Sequence, residues 1–119
     1  LLSLFIFNII IFASSISSIK NNYTELNTEI DKISHDLSPE EKVSLYFLVL
    51  STHEKITTAL ALDETKITNL QEIQEKTLKT FASLHENNSN INSSQIEKLR
   101  SLYKKMNQDG LELIKNKDN

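Results

Sequence analysis

Turn chemistry is almost missing from this chain. Its 119 residues include a single glycine, Gly110, and a single proline, Pro39. Hairpins lean on residues that reach positive φ freely or preset a tight turn, and Gly and Pro are the strongest of these. A chain this poor in them, with long periodic segments, has few ways to reverse strands. The expected fold class is all-α: a small bundle of about four amphipathic helices in one domain. There is no cysteine, so no disulfide staples the fold, and packed helices alone must hold about 100 residues together. The net charge of -3 is small and mixed in sign. No basic block marks a nucleic-acid surface.

The opening run LLSLFIFNIIIFASSISS is apolar and then small, the layout of a secretory signal peptide. Its strongly apolar part, Leu1 to Ala13, is shorter than the ~20 residues of a spanning helix. Residues 1–18 are read as a signal peptide entered part-way along, because neither Met nor a basic segment precedes the apolar run; the alternative is a membrane anchor lengthened by residues ahead of it. Cleavage is expected between Ala13 and Ser18, leaving 19–119 as a secreted helical domain. Three N-x-S/T sequons begin at Asn22, Asn87 and Asn92. In a eukaryotic secretory pathway they are glycan acceptors, which makes a glycoprotein the expectation.

Four helical segments follow. In the first, Leu26, Ile30, Ile33 and Leu37 recur at steps of four, three and four, one apolar stripe on a helix. The second starts at Ser38 as N-cap, with Pro39 in the first turn and Glu41 three residues after the cap. This is a capping box. The third is expected to open at Asp63 and run through Ile67, Leu70, Ile73, Leu78, Phe81 and Leu84. The polar run HENNSNINSS separates it from the fourth, expected to begin with a second capping box, Ser94 with Glu97. Gly110 is expected to weaken or kink that last helix.

The second segment is unusually apolar. Val43, Leu45, Tyr46, Phe47, Leu48, Val49 and Leu50 cover most of a helix circumference. Such a helix is either surrounded on all sides or lines a cavity. The first alternative makes it the central helix of the bundle. The second makes Leu45, Tyr46, Phe47, Leu48 and Val49, with Phe81, Leu99 and Tyr103, the lining of an apolar ligand cavity. Lys42, Lys79 or Arg100 would then meet a ligand carboxylate at its mouth.

Catalytic chemistry is not legible. There is no Cys nucleophile and no Gly-rich phosphate loop. His53-Glu54 begins like the zinc-protease H-E-x-x-H, but Thr57 stands where the second His belongs. His35, His53 and His85 fall on separate segments, so no metal site is expected. Glu40-Glu41 and Asp63-Glu64 suit first helical turns, where they favour the helix dipole.

The run YTELNTEIDKISHDLSPEEKVSLYFL, Tyr23 to Leu48, resembles the nematode fatty-acid- and retinol-binding proteins. In that family an acidic amphipathic helix leads into Asp-Leu-Thr/Ser-x-Glu-Asp/Glu-Lys-x-x-Leu. Asp36, Leu37, Ser38, Glu40, Glu41, Lys42 and Leu45 match that motif here. The resemblance implies a secreted parasite carrier of fatty acids and retinol, with no cofactor. It also implies membrane contact for lipid exchange and contact with host proteins. The competing expectation is a secreted or surface helical interaction protein, or antigen, without a small ligand. Asp63 to Ile67 is similar to a D-E-x-K-I run in some spirochaete surface lipoproteins, whose lipid-anchoring Cys has no counterpart in this sequence.

Overall fold

The computed structural model describes residues 2–117, with side-chain surroundings for residues 16–116. The order is α1 (Leu2–Ile33), a single 3-10 turn (Ser34–Asp36), α2 (Pro39–Ala61), α3 (Leu70–Asn87) and α4 (Ser93–Lys117), with no strand among the described residues. The all-α, four-helix expectation holds. The molecule is elongated, 57 × 25 × 18 Å, because 32 residues of α1 alone span about 48 Å.

The stripe on α1 packs as its spacing predicts: Leu26, Ile30 and Ile33 are buried, and the buried row reaches back to Ile19; Leu37 is buried too, but from extended backbone beyond the 3-10 turn. Its main partner is α4, which presents Ile96, Leu99, Tyr103, Met106 and Leu113 to the same core. α4 packs against all three other helices, and its pairing with α1 is the most extensive contact in the molecule. The central position expected for α2 therefore belongs to α4.

The start of α2 forms as read. Ser38 Oγ accepts from the Glu41 backbone N–H at 3.2 Å, and Glu41 Oε1 accepts from the Ser38 N–H at 3.0 Å. The second carboxylate oxygen of Glu41 accepts from Asn88 Nδ2 at 2.9 Å. One cap thus also ties down the loop after α3. Ile91, the apolar residue of that polar loop, is fully buried and plugs it into the core.

The later helices depart from the sequence reading at the start of α3, the cap of α4 and Gly110. α2 runs unbroken to Ala61, because Thr52, Ile56 and Ala59 carry its buried row onward. Asp63 does not open α3. It sits at φ 57° in the left-handed slot that ends α2, with Asp63 N–H donating to Leu60 O and Glu64 N–H to Ala59 O. This is a Schellman arrangement. α3 consequently starts at Leu70, behind Asn69, also left-handed at φ 63°. The reciprocal box at α4 belongs to Asn92 and Gln95, whose side chains accept from each other's backbone N–H at 2.9 and 3.0 Å. Finally, α4 passes through Gly110 as one helix. Among the described residues no helix is long and apolar enough to cross a membrane.

Candidate functional site

Each residue of a helix is rotated about 100° from the last, and α2 divides its apolar residues accordingly. Leu45, Leu48, Val49, Thr52, Ile56 and Ala59 face inward and are buried. On the opposite side Glu40, Val43, Phe47, Leu50 and Glu54 follow at steps of three, four, three and four. Val43 is 69% exposed, Phe47 63% and Leu50 40%. Monomeric proteins usually expose apolar side chains singly, and a contiguous patch marks an interaction site. The surplus apolarity of this segment is thus half core and half surface.

The eight residues expected to line a ligand cavity separate on the same division. Leu45, Val49, Phe81, Leu99 and Tyr103 belong to one buried cluster, and none of the five is more than 1% exposed. Leu48 is buried as well. Phe81 and Tyr103 meet edge to face, ring centres 5.7 Å apart at 88°. Thr52 Oγ1 donates to Leu48 O and lies 2.8 Å from the Tyr103 hydroxyl. With its one proton committed to the carbonyl, Thr52 must accept from Tyr103. Tyr46 is half-buried and donates to the Asp31 carboxylate. Burial first, then the Asp31 hydrogen bond, push its phenol up to about 12. Phe47 faces solvent. The structure does not gather the eight around one described cavity; of them, Tyr103 alone borders a described cleft.

Three open clefts are described. The first, about 440 Å³, lies beside the C-terminal half of the α2 stripe, between Ser51, Glu54, Lys55 and Thr58 on one side and Glu64, Ile67 and Thr68 on the other. Lys55 Nζ is already held there, donating to Thr68 O at 3.3 Å. The second, about 370 Å³, runs between α3 and α4, with Leu78, Tyr103 and Leu111 as apolar lining and Gln74, Lys104, Asn107 and Gln108 as polar lining. Its floor is braced by Gln74 Nε2, which donates to Asn107 Oδ1 at 2.6 Å. The third, about 480 Å³, is bordered by Ile67, Leu70 and the carboxylates of Glu72 and Glu75. The cations expected at a cavity mouth border none of the three. Arg100 pairs with Glu97 at 3.7 Å, and Lys42 and Lys79 lie elsewhere. Lys104 is the cation at the α3–α4 groove.

The histidines take separate partners. His53 stacks on Tyr23, ring centres 4.0 Å apart. His35 Nε2 lies 3.2 Å from the Asp36 carboxylate, and His85 Nδ1 lies 2.6 Å from Ile91 O. Among the described residues no group of three or more His, Cys, Asp or Glu side chains could hold a metal. Of the sequon residues, Asn87 and Asn92 are exposed. Asn22 is 6% exposed, and its amide donates to Asp109 Oδ2 at 3.2 Å. A glycan on Asn22 would have to break that contact.

Fold and surfaces together define a small all-α bundle with an apolar stripe on one helix and an apolar groove between two others. Comparison with protein-family models, curated proteins and solved structures gives no match. The outer stripe was missed in the sequence, yet its signal was there. Val43, Phe47 and Leu50 are spaced by four and three, with Glu40 and Glu54 continuing the same row.

Proposed function

We propose that this chain is a non-enzymatic helical binding protein that works by protein contact across the outer face of α2. The observation that carries this reading is the exposure of Val43, Phe47 and Leu50 in one row, on a helix whose inner face already completes the core. Keeping three apolar side chains in water is unfavourable by ~25 cal/mol per Å² of apolar area, and a partner would recover that energy. The reading includes secretion with removal of the leader. N-terminal sequencing of the secreted protein checks this, and a mature chain that still carried the apolar run Leu1 to Ala13 would contradict it.

The direct test uses the triple variant Val43→Ser, Phe47→Ser, Leu50→Ser. A partner recovered on immobilised wild-type protein is purified and titrated back. The triple variant should bind it at least about tenfold more weakly, with an unchanged unfolding curve. Unchanged affinity would remove the stripe from the interaction.

A second reading keeps the fatty-acid or retinol carrier and moves its site to the α3–α4 groove. The specific observation is a mainly apolar lining, Leu78, Tyr103 and Leu111, with the Lys104 ammonium beside it for a carboxylate. A fluorescent fatty acid should then show enhanced, blue-shifted emission that oleate reverses. Leu111→Asp should abolish the signal and Phe47→Ser should leave it intact. No enhancement at micromolar protein would sink this reading.

A further inference from the structure

The outer face of α2 also carries charge in a definite pattern. Glu40 and Glu54 lie seven residues either side of Phe47, so the stripe reads acid, three apolar positions, acid, over about 21 Å of helix. Glu40 sits in the first turn, where the helix dipole favours an anion. Glu54 is in mid-helix and has no such role. Among the α2 residues no cation shares the row. On a helical projection Lys42 and Lys55 fall well to either side of this row, and the Lys55 ammonium, charged, is turned toward Thr68 O at 3.3 Å. Beyond Glu54 the stripe runs into the cleft lined by a further carboxylate, Glu64, and by the apolar edge of Ile67; with Lys55 also on its wall, the two carboxylates outnumber the one cation there.

This pattern discriminates between occupants. A second copy packing antiparallel and centred on Phe47 would set Glu40 of one chain against Glu54 of the other. A parallel copy would set each glutamate against itself. Like charges facing each other across an interface are disfavoured, so both symmetric pairings oppose the apolar gain. An anionic lipid surface meets the same repulsion. Resting on the protein-contact reading above, we infer that the α2 stripe receives an amphipathic helix of another protein, apolar along its centre and basic at both ends. Its apolar row lies on Val43, Phe47 and Leu50. Its terminal Lys or Arg side chains reach Glu40 at one end and Glu54 with Glu64 at the other. An apolar helix face laid against an apolar surface, with anchors at helical spacing, is an established mode of peptide recognition, and the flanking charges set its orientation and exclude wrong partners.

The experiment uses the full chain and labelled helical peptides of about five turns that share one apolar face. One peptide ends in Lys residues and the other in Glu residues. Each is titrated by fluorescence anisotropy into wild type, Phe47→Ser, and the double variant Glu40→Lys, Glu54→Lys. Sedimentation of the protein alone and binding to phosphatidylcholine vesicles complete the set. The expected result is that the Lys-ended peptide binds wild type at least about tenfold more tightly than the Glu-ended one. The order should reverse on the double variant, and both peptides should be lost on Phe47→Ser. Equal binding of the two peptides, still dependent on Phe47, would overturn the basic-ended partner and leave the docking face standing. Dimerisation, or vesicle binding, that Phe47→Ser abolishes would assign the face to a second copy or to lipid and overturn the inference. Binding of neither peptide, with a monomer that ignores vesicles, would overturn the inference and count against the docking face as well.

Discussion

A Cβ added to Gly110 would lie 2.5 Å from Ile56 Cγ2 and 3.2 Å from Ile56 Cδ1. The glycine in α4 is there for a close approach to α2, not for a turn. Gly110→Ala should therefore lose stability, by about 1–3 kcal/mol of overpacking, despite the ~1 kcal/mol that alanine gains in a helix. In an Ile56→Ala background the same change should be neutral or stabilising, and a double-mutant cycle in urea measures the reversal. The Thr52–Tyr103 hydroxyl pair behaves differently. Thr52→Val leaves the buried Tyr103 O–H without an acceptor, at about 1–3 kcal/mol. Adding Tyr103→Phe removes the orphaned donor and should restore part of that loss. His53 supplies a pH dependence. Burial, the larger influence, holds its imidazole below the ordinary 6.5, against the opposing pull of Glu54. The unfolded chain therefore takes up the proton at higher pH than the fold does. Stability is complete above about pH 6.5 and falls as pH drops toward the lower native value. Melting temperatures from pH 7.5 down to 5.0 should show this slope, and His53→Phe should flatten it.

At the scale of the elements, the helix ends show what a single sequence discloses. The α2 start was legible because Ser38, Pro39 and Glu41 satisfy three local rules at once. Ser38→Ala should lower stability by ~1 kcal/mol. Glu41 also braces the following loop, its carboxyl held below the usual range first by the Ser38 backbone N–H and then by Asn88. The α3 start was not legible. Asp63 looks like a cap, but the chain uses it in the left-handed position that closes α2, a choice set by the register of α2 rather than by Asp63 itself. At α4 two overlapping boxes competed, and Asn92–Gln95 was taken because Ile91 and Ile96 are both buried on either side of it. Ile91 is the strongest case of a loop residue acting as core. Ile91→Ala should cost 2–5 kcal/mol, the range for a filled apolar site, and urea midpoints would show it against a near-silent Ser89→Ala.

For the whole molecule, the apolar census of residues 43–50 was visible in the sequence, but its partition was not. Periodicity shows that a helix has two faces; only the position of the neighbours shows which face is covered. Here α4 takes the centre and α2 lies against it, so one row of α2 is left outside. The residues read as a cavity lining divide in the same way: Leu45, Val49, Phe81, Leu99 and Tyr103 sit together in the buried cluster, while Phe47 faces solvent. The central claim is that α2 completes the core with one face and leaves the other free for a partner. Equilibrium urea unfolding of Phe47→Ser beside Leu45→Ser tests it most directly. Phe47→Ser should stay within about 0.5 kcal/mol of wild type, as an exposed site does, while Leu45→Ser should lose at least the 2–5 kcal/mol of an emptied core position. Equal losses in the two variants would mean that the chain itself covers Phe47, and the free face would not exist.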